Sequence, residues 1–181
     1  MYLSVLRETP LEADLVASWR RGPDDTVSKP AGTAQIGGRE GDVWFAITPA
    51  TLTGETVIGS EPITNPPPVW ALRVDEVAFP VGAIAHRHVH TGSGWRHLVS
   101  GALRIETDED ATVMEPGMSW FEPAGSPVRA VALQTAGITR FVRCMIIPID
   151  YADRSTFQLC DQKDASLPRL QMTHRHIDHI P

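Results

Sequence analysis

The sequence predicts an all-β protein, a sandwich or a barrel, and three observations support this prediction. From Val43 onward the chain consists of about eight to ten short segments rich in β-branched and aromatic residues. Turn residues separate these segments, and the chain contains 14 glycines and 15 prolines. Apolar residues also alternate within segments, as in Trp70, Leu72 and Val74. Many short strands with close spacing and Gly or Pro turns are typical of sandwiches and barrels.

The N-terminal region, residues 1–68, is predicted to be an extension of the barrel with a helix and the first strands. A short helix is expected over residues 9–21, because Thr9 can cap it, Pro10 suits its first turn and Glu12 stands where a capping box needs an acid. Leu11, Leu15 and Trp19 would then share one face that packs on the main body.

The predicted barrel core covers residues 69–148. The strand-like segments within it are 70–79, 102–106, 112–114, 118–121, 128–133 and 139–147. Two more, 43–48 and 55–59, precede the core. In segment 70–79 the apolar positions change parity across Asp75 and Glu76, which predicts a β-bulge there. Residues 149–181 are expected to form a C-terminal arm that lies over the barrel.

Composition excludes several classes of function. The net charge is −6, and no basic patch interleaved with aromatic residues is present, so we expect no nucleic-acid partner. No apolar run approaches the ~20 residues that span a bilayer, and the first residues do not form a secretory signal. The two cysteines, Cys144 and Cys160, give no disulfide framework. We therefore expect a cytoplasmic protein without a membrane contact.

The histidine-rich stretch from Pro80 to Gly101 is the strongest functional signal. It contains four of the seven histidines, and His86, His88 and His90 alternate. Residues two apart on a β-strand point to the same face, so one strand would direct three imidazoles into one space. Neutral imidazole is the commonest metal ligand in proteins, so the pattern indicates a metal site.

Two motifs in this region resemble the cupin superfamily. The first cupin motif runs Gly, five residues, His-x-His, three or four residues, Glu, six residues, Gly. Here Gly82 is followed by five residues and then by His88 and His90, Gly94 stands at the Glu position, and Gly101 ends the motif.

The second cupin motif runs Gly, five residues, Pro-x-Gly, two residues, His, three residues, Asn. Here it begins at Gly117 and continues through Pro123 and Gly125, with Val128 at the His position and Ala132 at the Asn position. Both motifs fit without gaps. The resemblance implies an RmlC-like, single-domain cupin with a degenerate metal motif, folded as a double-stranded β-helix, or jelly-roll barrel.

The resemblance also implies a metal or ligand site in the barrel mouth. Cupins typically use two His and one Glu from the first motif and one His from the second, and this chain keeps only His88 and His90. Because catalytic metal sites normally have three protein ligands, either His86 or His97 would have to complete the site. His97 points away from the pocket under simple alternation, unless a bulge intervenes.

Two further residues are candidate catalytic groups. If Gly94 faces the pocket, Arg96 also faces it, where its guanidinium would suit a carboxylate or phenolate substrate. Glu122 shares a face with Trp120 and is a candidate substitute ligand or general base. A solvated arginine and a turn carboxylate are the structural alternatives.

The sequence leaves two functions open. The first is a metal-dependent enzyme acting on a small organic molecule, with non-haem dioxygenase chemistry at Fe(II) as the best guess and Zn, Mn or Ni as other metals. The second is a metal-free cupin that binds a small ligand or catalyses an isomerisation or cyclisation through pocket shape. We expect a homodimer in either case, because cupins often pair through exposed barrel edges.

The tail carries His174, His176 and His179. Its local sequence is similar to the Thr-His-x-His-x-Asp-His signature of the metallo-β-lactamase superfamily. Because that fold needs further ligands, we expect either a coincidence or an independent histidine-rich tail. Three roles stay open: an arm on its own barrel, which Leu167, Leu170 and Met172 favour, a cover for a partner subunit, or a ligand donor.

Overall fold

A computed structural model describes residues 1–10 and 12–181, which form three five-stranded antiparallel sheets. The strands of the described residues are β1 (Tyr2–Leu6), β2 (Leu15–Arg21), β3 (Gly32–Ile36), β4 (Val43–Thr48), β5 (Val57–Pro62), β6 (Trp70–Phe79), β7 (Ile84–His90), β8 (Ser93–Ser100), β9 (Leu103–Glu106), β10 (Ala111–Met114), β11 (Ser119–Glu122), β12 (Val128–Ala132), β13 (Thr139–Pro148), β14 (Phe157–Leu159) and β15 (Met172–His179). Two short 3₁₀ helices, Ile149–Tyr151 and Gln162–Ser166, flank β14. The all-β prediction is therefore confirmed.

The three sheets differ in their strand order. The N-terminal sheet has the strand order β3-β2-β4-β1-β5, the central sheet β11-β8-β13-β6-β15, and the histidine sheet β10-β9-β12-β7-β14. The central and histidine sheets form the jelly-roll barrel, and their inner faces enclose one apolar core. Members of that core include Phe79, Leu98, Leu103, Trp120 and Phe141.

The N-terminal sheet packs on the outer face of the central sheet. Leu3, Phe45 and Trp19 of the N-terminal sheet share a second apolar core with Val74 and Trp95 of the central sheet. Trp95 donates its indole N–H to the carbonyl oxygen of Leu3 at 2.8 Å. The central sheet is thus buried on both faces, with the N-terminal sheet on one side and the barrel interior on the other.

The helix expected over residues 9–21 does not form. Residues 15–21 are strand β2, in which Leu15, Ala17 and Trp19 face the shared core, and Leu11 lies outside the described residues. A spacing of four residues is also a multiple of the two-residue strand repeat, so an apolar series that suggests a helix face fits a strand face equally well.

The bulge predicted at Asp75 and Glu76 is absent from β6, so this prediction is wrong as well. The β6–β13 pairing runs without a register shift from Phe79 to Trp70, and the irregularity lies in the neighbouring strand β15, between Arg175 and Ile177. The parity change arises because β6 is buried on both faces. Its apolar residues first face the N-terminal sheet and then the barrel interior.

A buried ionic cluster joins the N-terminal region to the barrel. The fully buried carboxylate of Glu76 accepts hydrogen bonds from Arg140, from Trp19 Nε1 at 3.2 Å and from the backbone N–H of Ala31 at 2.6 Å. Its other neighbour is His176 Nε2, 3.4 Å from Oε2. Burial alone would raise the pKa of Glu76, but the hydrogen bonds from His176 and Ala31 and the Arg140 charge hold the pKa below its ordinary value.

The C-terminal arm lies on its own barrel. Strand β14 pairs with β7 at the edge of the histidine sheet, and β15 pairs with β6 at the edge of the central sheet. Arg73, which is 1% exposed, donates to both carboxylate oxygens of Asp178, at 2.6 and 2.7 Å, and fixes β15 in place. The tail therefore lies as an arm on its own barrel, which is the first of the three roles that the sequence left open.

No helix in the described part of the chain is both long and apolar enough to cross a membrane. The expected homodimer stays a prediction, and light scattering of the purified protein measures it directly.

Candidate functional site: the barrel pocket

The barrel encloses a cavity of about 200 Å³ between the central and histidine sheets. One side of its lining is apolar, and the other side is charged. The charged and histidine side chains that line it are Arg73, Asp75, His88, His90, Arg96, Glu122, Arg143, Arg169 and Arg175. Several of these groups are almost completely buried, so each has to be satisfied by a partner inside the protein.

A β-bulge in β7 determines which histidines reach the cavity. On the neighbouring strand β12, Val128 pairs with His88 and Ala130 pairs with Ala85, so β7 carries an extra residue between these positions. The bulge reverses the alternation, and Ala85, His88 and His90 line the cavity while His86 does not. His86 instead presents its carbonyl oxygen to the Nδ1 atom of His88 at 2.7 Å.

Hydrogen bonds fix the tautomers of the neutral His88 and His90 imidazoles. The carbonyl of His86 only accepts, so the His88 Nδ1 carries the proton and its Nε2 carries a lone pair. Arg143 Nη1 only donates and lies 3.2 Å from His90 Nε2, so that nitrogen also carries a lone pair. His90 Nδ1 then donates to Thr156 Oγ1 at 3.0 Å. The two Nε2 atoms are 3.2 Å apart, with both lone pairs directed into the same small space.

Arg143 joins this histidine pair to Asp75. Its Nε and Nη2 donate to Asp75 Oδ2 at 3.1 and 2.7 Å, while its Nη1 contacts His90. Asp75 is 1% exposed, and its second oxygen has no hydrogen-bond partner among the described residues. The guanidinium therefore holds an acid and an imidazole in fixed positions on the cavity wall.

The two candidate catalytic residues of the sequence contact each other. Arg96, which is 1% exposed, pairs with Glu122 at 2.8 Å between Nη2 and Oε2. Trp120 Nε1 donates to the other oxygen of Glu122 at 2.8 Å. Burial lowers the pKa of Arg96 to about 10, although the Glu122 charge opposes this shift. Both residues line the cavity, and each is the charged partner of the other.

Burial also controls the charge of the histidine pair. It lowers the pKa of His88 to about 4, and the Arg143 and Arg96 charges act in the same direction while Glu122 opposes them. Burial, followed by the same two arginines, lowers the pKa of His90 well below its ordinary value. Both imidazoles are therefore neutral at pH 7.

His97 lies on the other face of β8. It lines an open groove between the barrel and the N-terminal sheet, together with Arg21, Asp42 and Val99, and its Nδ1 lies 2.8 Å from Ser119 Oγ. Burial lowers the pKa of His97, and Arg7 adds to this shift. The structure thus brings together two of the four predicted metal ligands, His88 and His90, and separates them from His86 and His97.

The two degenerate motif positions have clear packing roles. A Cβ on Gly94 would overlap the carbonyl oxygen of Cys144 and lie 2.8 Å from the Cα of Met145, so β8 and β13 approach too closely for a glutamate there. Val128 is 3% exposed and faces the cavity opposite His88. Neither position supplies a metal ligand.

These residues do not fit a resident divalent metal. Among residues 1–10 and 12–181, no group of three or more His, Cys, Asp or Glu side chains is placed to hold a metal ion. Catalytic metal sites normally use three protein ligands. The lone pair of His90 Nε2 already accepts from Arg143, and Arg96 adds a second buried positive charge that would repel a cation.

The C-terminal arm contributes part of the cavity wall, which the sequence analysis did not predict. Arg169, Gln171, Thr173 and Arg175 line the cavity, and they are alternate residues of the chain. This two-residue repeat is the sequence signal that could have identified the tail as a strand with one face towards the cavity. Phe157 of β14 stacks on the His88 ring at a centroid distance of 4.1 Å.

The tail histidines do not form a metal site in the described structure. His174 Nε2 lies 2.9 Å from the carbonyl oxygen of Val27, and His176 contacts Glu76. Asp178 is held by Arg73. The similarity to the metallo-β-lactamase signature therefore does not extend to its ligand geometry.

The fold is thus an antiparallel jelly-roll barrel with a charged cavity between its two sheets. Residues 75–142 match the family model for the cupin domain, which confirms the predicted cupin resemblance over this part of the chain. The match begins at Asp75 and includes both degenerate motifs.

Several solved structures resemble part of the chain. An RmlC-like cupin from Shewanella frigidimarina is 21% identical, with 44% of this chain and 69% of that chain covered and a TM-score of 0.39. A cupin domain from Bordetella pertussis is 21% identical over 47% of this chain and 98% of that chain, with a TM-score of 0.37. The DMSP lyase DddQ from Ruegeria pomeroyi is 16% identical over 50% and 43%, with a TM-score of 0.43. No curated protein sequence matches the chain significantly.

Proposed function

We propose that this chain binds a small organic acid in the barrel pocket, without a resident metal. The observation that supports this proposal is the charge of the lining, which contains five arginines and only two carboxylates. Asp178, behind Arg73, and Asp153, beside Arg175, bring the carboxylates to four and leave an excess of one positive charge. A guanidinium binds carboxylates through paired N–H donors, so an anionic ligand complements this lining.

His88 gives the pocket a proton acceptor. His90 cannot donate to the His88 Nε2 lone pair, because the His90 Nε2 itself accepts from Arg143. The His88 lone pair is therefore available to a ligand in the cavity. A hydroxyl or an acidic C–H of the ligand can therefore direct its proton to His88. The chemistry that such a site supports is a proton shift, as in an isomerisation or cyclisation, in a pocket whose shape selects the reacting conformer.

A second candidate function is a metal-dependent enzyme, with Fe(II) first and Zn, Mn or Ni as the other metals. One observation favours it, the 3.2 Å separation of the His88 and His90 Nε2 atoms, which two ligands of one metal could adopt. Oxygenase chemistry would belong to this candidate. The donor set argues against it, since a third protein ligand is missing from the described residues around the pair.

Elemental analysis separates the two candidates. Protein purified without a His-tag is exposed to Fe, Mn, Ni, Cu and Zn and then desalted. We expect less than about 0.1 metal per chain, because two imidazoles beside buried arginines bind a divalent ion weakly. A stoichiometric metal that is lost in the His88→Ala variant would establish the second candidate instead.

Ligand binding is tested by thermal shift and calorimetry with a panel of small carboxylic acids that includes acetate, lactate, phenylacetate and citrate. A ligand at one hundred times its Kd stabilises the folded state by about 2.7 kcal/mol, which gives a measurable rise in Tm. Ala130→Leu fills the cavity and should abolish this rise, whereas Ala111→Leu, on the exposed strand β10, should not. A panel without any binder would contradict the proposed function.

A further inference from the structure

The pocket lining is divided into two chemically different halves. The charged half lies towards β14 and the C-terminal arm, and it contains the arginines and the histidine pair. The other half is apolar and includes three packed aromatic rings, with centroid distances of 5.9 Å between Phe79 and Phe141 and 5.3 Å between Trp120 and Phe141. The apolar lining consists of Val77, Phe79, Ala85, Ile105, Trp120, Val128, Ala130 and Phe141.

Arg169 differs from the other four arginines of the lining. Arg73 and Arg175 contact Asp178, Arg96 pairs with Glu122, and Arg143 pairs with Asp75. Arg169 forms no ion pair with any described residue, and its guanidinium carbon lies 4.0 Å from the centroid of the Phe157 ring. A ligand carboxylate can therefore pair with Arg169 without displacing an acid of the protein.

Phe157 also connects Arg169 to the histidine pair. The Arg169 guanidinium and the His88 imidazole both lie about 4 Å from the Phe157 ring centroid, at distances too similar for them to share one face. They consequently occupy opposite faces, and Phe157 lies between them. A guanidinium stacked through its plane keeps its in-plane N–H donors free, so Arg169 can bind a carboxylate while it stays on the ring.

We propose that the pocket ligand is a monocarboxylic acid with a compact aromatic or branched apolar body, and that Arg169 binds its carboxylate. The body packs among Phe79, Trp120 and Phe141, and the volume of about 200 Å³ limits it to the size of one ring. This inference rests on the proposed binding of a small organic acid in the same cavity. It assigns the apolar half to selection of the body and Arg169 to selection of the head group.

Three probes test the assignment: phenylacetate, phenylacetamide, which matches it in size but is neutral, and acetate, which matches it in charge but lacks the ring. Their Kd values are measured by calorimetry, with the intrinsic tryptophan fluorescence, to which Trp120 at the cavity wall contributes, as a second signal. We expect phenylacetate to bind at least tenfold more tightly than either of the other two. Equal binding of the amide would overturn the role of the carboxylate, and equal binding of acetate would overturn the role of the apolar body.

The variant Arg169→Gln isolates the head-group contact. Because Arg169 is exposed and outside the strands, the variant should keep its fold, and its Kd for phenylacetate should rise at least tenfold while that for phenylacetamide stays constant. Arg39→Gln, an exposed arginine outside the cavity, is the matched control and should bind as the wild type does. An unchanged Kd in Arg169→Gln would overturn the assignment of this residue.

The outcomes also distinguish this inference from the proposed function. If lactate or citrate binds and phenylacetate does not, the pocket binds acids, but the ligand class inferred here is wrong. If no acid of the panel binds, the proposed function fails as well.

Discussion

The Nε2 atoms of His88 and His90 lie 3.2 Å apart, and their hydrogen-bond partners leave a lone pair on each. Here the neighbouring Arg143 donates to His90, and Arg96 lies close enough to lower the pKa of both histidines. Burial keeps the pair neutral, and the two guanidinium charges act in the same direction.

Stability is expected to fall in mild acid because of His88. Its pKa is about 4 in the folded protein against an ordinary value of 6.5, so the unfolded chain takes up a proton first as the pH falls. The contribution is complete above pH 6.5 and is lost between pH 6.5 and pH 4. A shift of this size is worth about 3 kcal/mol for one group. Urea unfolding at pH 7.5 and pH 4.5 measures the loss, to which His90 adds in the same direction.

Two variants assign this pH dependence to the pocket. His88→Asn removes the group that resists protonation, so its free energy of unfolding should change less between the two pH values than that of the wild type. His86→Asn changes a histidine of the same strand that does not line the cavity and should retain the wild-type dependence. If both variants behave alike, the acid sensitivity comes from elsewhere in the protein.

Gly94 is predicted to be intolerant of any side chain. Gly94→Ala places a Cβ against the carbonyl oxygen of Cys144 and the Cα of Met145, which are backbone atoms of the adjacent strand β13. Overpacking of this kind costs about 1–3 kcal/mol, and more where backbone has to move. Chemical denaturation of Gly94→Ala checks the cost. A variant as stable as the wild type would show that the missing motif glutamate has another cause.

The sequence was sufficient to predict the barrel because its signals are local. Strand segments, turn residues and both cupin motifs can be identified from spacing alone, and the position of Arg96 followed from the alternation of β8. The sequence could not give the partners of these residues. Whether Arg96 meets Glu122 depends on the pairing of β8 with β11, which aligns Gly94 with Glu122.

The histidine site was predicted only in part, for a reason that lies in the backbone. Strict alternation puts His86 with His88 and His90, but one extra residue in β7 removes His86 from that face. No residue type at this point signals a bulge. The alternation that begins at Arg169 is visible in the sequence, but its place against the cavity, like that of Phe157, depends on the path of the arm around the barrel.

The ion pair between Arg73 and Asp178 is expected to anchor the arm. Asp178→Asn leaves the buried Arg73 guanidinium without its charged partner, and breaking a buried pair in this way costs about 3–5 kcal/mol. Burial alone would raise the pKa of Asp178, but the Arg73 hydrogen bonds lower it below its ordinary value. Differential scanning calorimetry measures the loss of Tm.

The control for this prediction is Asp153→Asn. Asp153 pairs with Arg175 at 3.5 Å, but its side chain is 92% exposed, so its removal should change the free energy of unfolding by less than about 1 kcal/mol. Equal losses in the two variants would contradict the anchoring role of Asp178.

A gain of metal affinity is expected when a third imidazole is added. Val128 lies opposite His88 on the neighbouring strand, and both side chains face the cavity, so Val128→His should place its ring beside the His88 and His90 nitrogens. Three imidazoles meet the minimum of a zinc site, and the variant should bind Zn²⁺ at least about tenfold more tightly than the wild type. Competition with a chromophoric chelator measures the difference.

The neighbouring Val131→His puts the same residue type on strand β12 at a position that does not line the cavity, and it should bind Zn²⁺ no better than the wild type. Adding His88→Ala to Val128→His should return the affinity to the wild-type level, since it leaves only two imidazoles in the cavity. If Val128→His alone gives no gain, the third ligand is not what limits metal binding in this pocket, and the field of Arg96 and Arg143 is the stronger cause.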